Sequence, residues 1–174
     1  MPILYMLCGP SASGKSTWAH NFISENSQKD IRYVSRDEIR FSLLKENEKY
    51  FAHEKQVFKK FAGTITQTLV DGFDVIADAT HLNIFSRKKL TNAIDKTYTD
   101  YQIIYVIFDI PLQEILSRNQ QRLGLEQVPE EEIKRMYNDF SPPIHEDNRE
   151  IDRYIVRSKN FREKISNLLD FMVT

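Results

Sequence analysis

Short apolar runs alternate with segments of helical period along this chain. Residues 3–8 (ILYMLC) are continuously apolar and have the length of a buried strand. A helix is predicted from Lys15 to about residue 24, with Trp18, Phe22 and Ile23 as its apolar positions, followed by a polar turn over 25–30. Residues 31–34 read as a brief second strand. Ser35-Arg36-Asp37-Glu38 then has the form of a capping box, which starts a helix at Ser35. From about residue 48 to 70, Phe51, Phe58, Phe61, Ile65 and Leu69 recur near the helical period, predicting one long helix. Asp71-Gly72 stops it.

Residues 73–77 form the third strand and end at Asp78. A helix over about 84–98 opens with the basic cluster Arg87-Lys88-Lys89. The fourth strand, 102–108, closes at Asp109-Ile110-Pro111, and Pro111 suits the start of a helix carrying Leu112, Ile115 and Leu116. The pattern lapses through 123–128 until Pro129 starts another helix, with Ile133, Met136, Tyr137 and Phe140 on one side. Ser141-Pro142-Pro143 breaks that helix, and an acidic loop reaches about residue 150. Residues 153–156 read as a last strand. Phe161, Ile165, Leu168, Leu169 and Met172 mark the core stripe of a closing helix.

Strands alternating with helices predict an α/β fold: a parallel sheet of about five strands flanked by helices. No repeat or linker interrupts it, so residues 1–174 are expected to form a single domain with a helical lid over about 118–140. A chain of this length buries roughly 70% of its unfolded surface without disulfides. The one cysteine, Cys8, lies in an apolar strand and reads as a small buried hydrophobe. No secretory leader pattern precedes the first strand, and no apolar run nears the ~20 residues of a membrane span. A cytoplasmic location is the resulting expectation. The formal net charge of −1 argues against a long nucleic-acid footprint, though not against a pocket that grips one strand end.

Chemistry concentrates in Gly9-Pro10-Ser11-Ala12-Ser13-Gly14-Lys15-Ser16, which fits G-x-x-x-x-G-K-[ST] between a strand and a helix. Such a loop turns successive backbone N–H groups into one concavity and adds the positive end of the helix dipole. Gly9, Ser11, Ala12, Ser13, Gly14, Lys15, Ser16 and Thr17 are therefore the expected residues for a nucleoside triphosphate. Lys15 is placed to reach the β- and γ-phosphates, and the Ser16 hydroxyl to ligate Mg²⁺.

In an open α/β sheet, ligands collect beyond the carboxyl ends of the strands. Those ends hold Asp37 with Arg40, Asp78 and Asp109. Asp37 and Arg40 share a helix face, one suited to take a hydroxyl's proton and the other to steady a phosphate or oxyanion. Asp78 or Asp109 would hold the metal, and the two look alike in sequence. Arg118 and Arg122, four apart before an irregular glycine-containing stretch, could neutralise charge on a transferring phosphoryl group. The four histidines show no metal-ligand spacing, and only His81 lies near Asp78.

The segments GPSASGKSTWA, SRDEIR, VIADATHLN, FDIPLQEILSRNQQR and VPEEEIKRMY follow one another across residues 1 to 140. In that order and spacing they resemble the polynucleotide 5′-hydroxyl kinase family, meaning the kinase domain of bacteriophage polynucleotide kinase and its P-loop kinase relatives. The resemblance implies that Lys15 and Ser16 bind ATP and Mg²⁺. It implies Asp37 as general base on a 5′-hydroxyl, Arg40 at the acceptor end, Arg122 as the lid arginine on the donor phosphates, and Asp78 as the aspartate after the third strand. Ala12 departs from the glycine common in the family's loop. The phage enzyme also carries a 3′-phosphatase domain, which is not expected within residues 1–174, since they offer neither the length nor a D-x-D-[GT] motif for it. The wider group also phosphorylates small molecules, so the acceptor is expected to be a nucleic-acid 5′ end, of DNA or RNA, or a small-molecule hydroxyl. A nucleotide-dependent switch without transferase activity is the reading from another class. Arg36, Arg40 and the Arg87-Lys88-Lys89 cluster are candidates for the terminal phosphates of a nucleic-acid acceptor.

Overall fold

The computed structural model describes residues 1–143 and 152–157. Five strands, β1 (Ile3–Cys8), β2 (Ile31–Ser35), β3 (Asp74–Asp78), β4 (Gln102–Asp109) and β5 (Asp152–Arg157), form one parallel sheet in the order β2-β3-β1-β4-β5. Its helices are α1 (Lys15–Glu25), α2 (Arg36–Leu43), α3 (Glu54–Val70), α4 (Ile84–Asp95), α5 (Leu112–Gln120) and α6 (Glu130–Asp139). The predicted closing helix around Phe161 and Met172, and the acidic loop, lie outside the described residues.

β1 is central, with β3 and β4 as its neighbours, and helices cover both of its faces. That is why its sequence is continuously apolar rather than alternating. Leu4, Met6 and Cys8 pack with Val75, Ala77, Tyr105 and Ile107 beneath Phe61, Ile65 and Leu69 of α3 and Leu90 and Ile94 of α4. Tyr5 and Leu7 face the other way and join Ile76, Val106 and Phe108 beneath Ala19 of α1, Ile115 of α5 and Ile133 of α6. The chain leaves β1 for one side of the sheet and returns to the other at β4. The crevice at this reversal, beyond the end of β1, is where such sheets bind ligands.

Local signals fix most boundaries. Ser35 caps α2, its side chain accepting from the Glu38 N–H at 3.2 Å. Asn83 and Ser86 form a reciprocal capping box on α4. The long helix predicted from residue 48 starts instead at Glu54. Asn47 adopts a left-handed backbone (φ 66°), and the Glu48 carboxylate accepts from the Lys45 N–H and bonds His53. These local bonds close turns that interrupt the helical path. Phe51 therefore leaves the core stripe, and Val57 and Phe61 begin the buried face of α3.

Candidate functional site

The loop after β1 is held open by close packing. A Cβ at Gly9 would lie 2.9 Å from Cβ of Phe108, so β4 and the loop meet only because no side chain intervenes. The Gly9 N–H donates to the Thr80 carbonyl at 2.8 Å, pinning the loop to the segment after β3. Gly14 takes a left-handed conformation (φ 96°) at the N-cap of α1, which glycine tolerates without strain. Ala12, buried, adopts φ 62° with no such exemption. The first turn of α1 carries no acidic residue, so its dipole and N–H groups are not neutralised locally.

Lys15 is buried, and its ammonium donates to the carbonyls of Gly9 (3.1 Å) and Pro10 (2.6 Å). Burial pushes its pKa down, Asp78 and Asp37 push it up, and Arg122 adds to the downward shift. Charges singled out from three distant parts of the sequence thus act on one ammonium.

Ser16 Oγ donates to Asp78 Oδ2 at 2.6 Å. The Tyr33 hydroxyl, from β2, donates to the same oxygen at 2.6 Å. Asp109 ends β4 on the exposed surface, so the serine of the loop is bonded to the aspartate of β3. Among the described residues no three His, Cys, Asp or Glu side chains gather into a metal cluster. The adjacent hydroxyl and carboxylate are hard oxygen donors that fit Mg²⁺, a cation that completes its shell with water and phosphate oxygens.

Asp37 sits in the first turn of α2, and its side chain is 61% exposed. Arg40 is the reverse: its side chain is 6% exposed and ion-paired with Asp37, while Nε donates to Glu54 Oε1 at 2.9 Å. The Tyr50 hydroxyl accepts from Arg40 Nη1 at 2.9 Å and donates to Asp37 Oδ1 at 3.0 Å. Arg36 reaches Glu54 from the other side at 2.8 Å. Burial raises the Glu54 pKa, but bonds and charge from Arg40 and Arg36 outweigh it and hold the carboxyl below its ordinary value. Tyr33, Tyr50 and Glu54 escaped the sequence reading. A tyrosine in a strand or a glutamate at a helix start carries no signal until the partner strand and loop are placed.

Arg118, in the last turn of α5, donates Nη1 to the Ser13 carbonyl at 2.9 Å and pairs with Glu114. Arg122 lies beyond the end of α5, with Nη1 on the Glu126 carbonyl at 3.3 Å. The stretch between α5 and α6 contains a short 3₁₀ turn, Gly124–Glu126. It is tied back by Asn119, which donates to the Val128 carbonyl at 2.7 Å and accepts from its N–H at 3.0 Å.

Arg87 requires a correction. It is buried and donates to the carbonyls of His81 and Ser141 at 3.0 and 2.9 Å, so it braces loops and is not available to an acceptor phosphate. Lys89 lies over the Phe58 ring at 4.3 Å. His81, also buried, donates Nδ1–H to the Leu7 carbonyl at 2.8 Å, with its pKa lowered to about 4, mainly by burial.

The sheet order, the covering helices and the loop after β1 define a P-loop kinase fold. The AAA domain family matches residues 4–143, and the chain belongs to it. Its fold is similar to a chain of the Pnkp1/Rnl/Hen1 RNA repair complex: 26% identity, TM-score 0.67, 79% of this chain covered and 43% of that one. A fungal RNA kinase matches at 15% identity and TM-score 0.60, covering 97% of this chain and 44% of that one. The Mycobacterium tuberculosis APS kinase CysC, solved with AMPPNP and APS, matches at 18% and 0.61, over 99% and 98%. This chain thus spans less than half of the two RNA-directed neighbours. The resemblance to polynucleotide-kinase-like P-loop kinases is borne out, and the neighbours include kinases of varied substrates. Among the described residues, no helix is long and apolar enough to cross a membrane.

Proposed function

We propose that this chain transfers the γ-phosphoryl group of ATP to a hydroxyl, and that the acceptor is the 5′-hydroxyl end of DNA or RNA. The observation that carries the reading is Asp37: an exposed carboxylate fixed by Arg40 and Tyr50, whose negative charge favours the charged form of Lys15. A nucleotide switch has no use for a second, solvent-facing carboxylate so placed. In the proposed reaction the acceptor oxygen bonds to the γ-phosphorus and its proton passes to Asp37. The bond between the γ-phosphorus and the β,γ-bridging oxygen breaks, and ADP leaves.

Lys15, with the backbone of residues 9–17, binds the triphosphate. Ser16 and Asp78 would hold Mg²⁺, which when bound neutralises phosphate charge. Arg118 and Arg122 approach from the lid, residues 118–140. Arg40 orients Asp37 and the acceptor end. One kinase domain over residues 1–174, in the cytoplasm, belongs to the same proposal.

The RNA-directed neighbours support the nucleic-acid acceptor. The APS kinase matches over nearly its whole length, which supports a small-molecule hydroxyl as the second reading. Incubation with γ-labelled ATP and a panel of 5′-hydroxyl oligonucleotides, nucleosides, sugars and adenylyl sulfate separates them. Label on the oligonucleotides is expected; label on a small acceptor alone would transfer the function to the second reading.

A further inference from the structure

Phe51 is apolar, large and 61% exposed, although the chain around it is well braced. The Ala52 N–H donates to the Lys49 carbonyl at 2.9 Å, and Glu48 ties Lys45 to His53. The ring meets Tyr50 edge to face, with centroids 4.8 Å apart and planes at 88°. The Arg40 guanidinium lies 4.5 Å from the Tyr50 ring and 5.6 Å from the Phe51 ring. Tyr50 also meets Phe41 and, through its hydroxyl, holds Asp37. An exposed π face is thus built onto the residue that orients the carboxylate at the acceptor side of the site.

We infer that Phe51, backed by Tyr50 and Arg40, is the stacking platform for the 5′-terminal nucleobase of the acceptor. The inference rests on the nucleic-acid reading above and adds a base-binding subsite to it. A nucleoside whose 5′-hydroxyl lies at Asp37 carries its base a few ångströms away, and every base offers a π face. Stacking is sequence-tolerant, so the platform reads the presence of a base and not its identity. It also supplies affinity that charge does not. A chain of net charge −1 has little to gain from a run of phosphates, whereas one stacked base contributes about 1–3 kcal/mol, or about 5- to 150-fold in affinity.

The test compares the wild-type protein with Phe51→Ala and Phe51→Trp on three acceptors. These are a 5′-hydroxyl trinucleotide, the same trinucleotide with 2-aminopurine at its 5′ end, and one with an abasic 5′ residue. Phe51→Ala should raise KM for the base-bearing trinucleotide about 5- to 150-fold, with KM for ATP and the melting temperature unmoved. It should also abolish the fluorescence quenching of bound 2-aminopurine seen with wild type. Phe51→Trp should restore both. On the abasic acceptor, wild type and Phe51→Ala should have the same KM. Trinucleotide labelling with KM and quenching unchanged in Phe51→Ala would overturn the platform and leave the kinase reading standing. No labelling of any oligonucleotide by wild type would overturn both.

Discussion

The Tyr33 hydroxyl lies 2.6 Å from Asp78 Oδ2, the oxygen that also accepts from Ser16. Register explains the meeting: Ser35 of β2 pairs with Asp78 of β3, and Tyr33 projects two residues earlier to the sheet face covered by α1. Its ring packs against His20 of α1 with centroids 4.8 Å apart. Burial and then the Asp78 charge raise the Tyr33 pKa well above its ordinary value, so the hydroxyl remains a donor at every working pH. Tyr33 therefore orients the carboxylate proposed to hold Mg²⁺.

Removing that donor should loosen the metal site without touching the phosphate loop. Outer partners of a ligating carboxylate typically matter about 10- to 100-fold in metal affinity or activity. Tyr33→Phe should raise the Mg²⁺ concentration for half-maximal turnover by that order. Mg²⁺ titration of the rate and of thermal melting checks it. An unchanged Mg²⁺ dependence would make the bond a packing feature only.

Ala12 gives a stability test of the loop. Replacing it with glycine relieves a left-handed alanine, worth about 1–2 kcal/mol. Against that stand about 0.4–1 kcal/mol of unfolded-chain entropy and about 0.8 kcal/mol for the buried methyl. The sum is near zero. Ala19→Gly, fully buried within α1, loses the methyl and about 1 kcal/mol of helix propensity with no relief, so about 2 kcal/mol. Urea unfolding of both variants should separate them; equal losses would mean that Ala12 is not strained.

His81 predicts a pH dependence. Unfolded, its imidazole takes up a proton near pH 6.5; folded, it resists until about 4. The unfolded state therefore binds more protons in that window. Stability is full above pH 6.5 and falls as the pH drops toward 4, by about 1.4 kcal/mol per unit, some 3 kcal/mol in all. His81→Asn keeps a side-chain donor for Leu7 and tolerates φ 40°. It should flatten the dependence by one proton between pH 4 and 6.5. Identical pH profiles for wild type and variant would contradict this.

Asp37→Asn keeps size and hydrogen bonding but cannot draw off a proton. The rate should fall about 10²–10⁴-fold with ATP affinity little changed. Loss of ATP binding with an unaltered rate at saturation would assign Asp37 to the donor side.

The strands were legible because a parallel sheet covered on both faces demands unbroken apolar runs, as in residues 3–8. The loop at Gly9–Ser16 was legible because it needs glycines at fixed steps. Pairing was not. Asp78 and Asp109 both end an apolar strand, and only the fold bonds one of them to Ser16. Phe51 lies seven residues before Phe58 and mimics a helix stripe, whereas Asn47 and Glu48 interrupt the helix before Glu54. Arg87 looked like a surface cation because its carbonyl partners, one of them 54 residues away, have no sequence signature.

The central claim, phosphoryl transfer to a 5′ end, is tested most directly by where the label goes. A 5′-hydroxyl oligonucleotide incubated with γ-labelled ATP and Mg²⁺ should acquire label that, after digestion to mononucleotides, resides wholly on the 5′-phosphate of the first residue. Lys15→Ala, folded by thermal melting, should give none. Label recovered only as inorganic phosphate, or only on a small-molecule hydroxyl, would contradict the account.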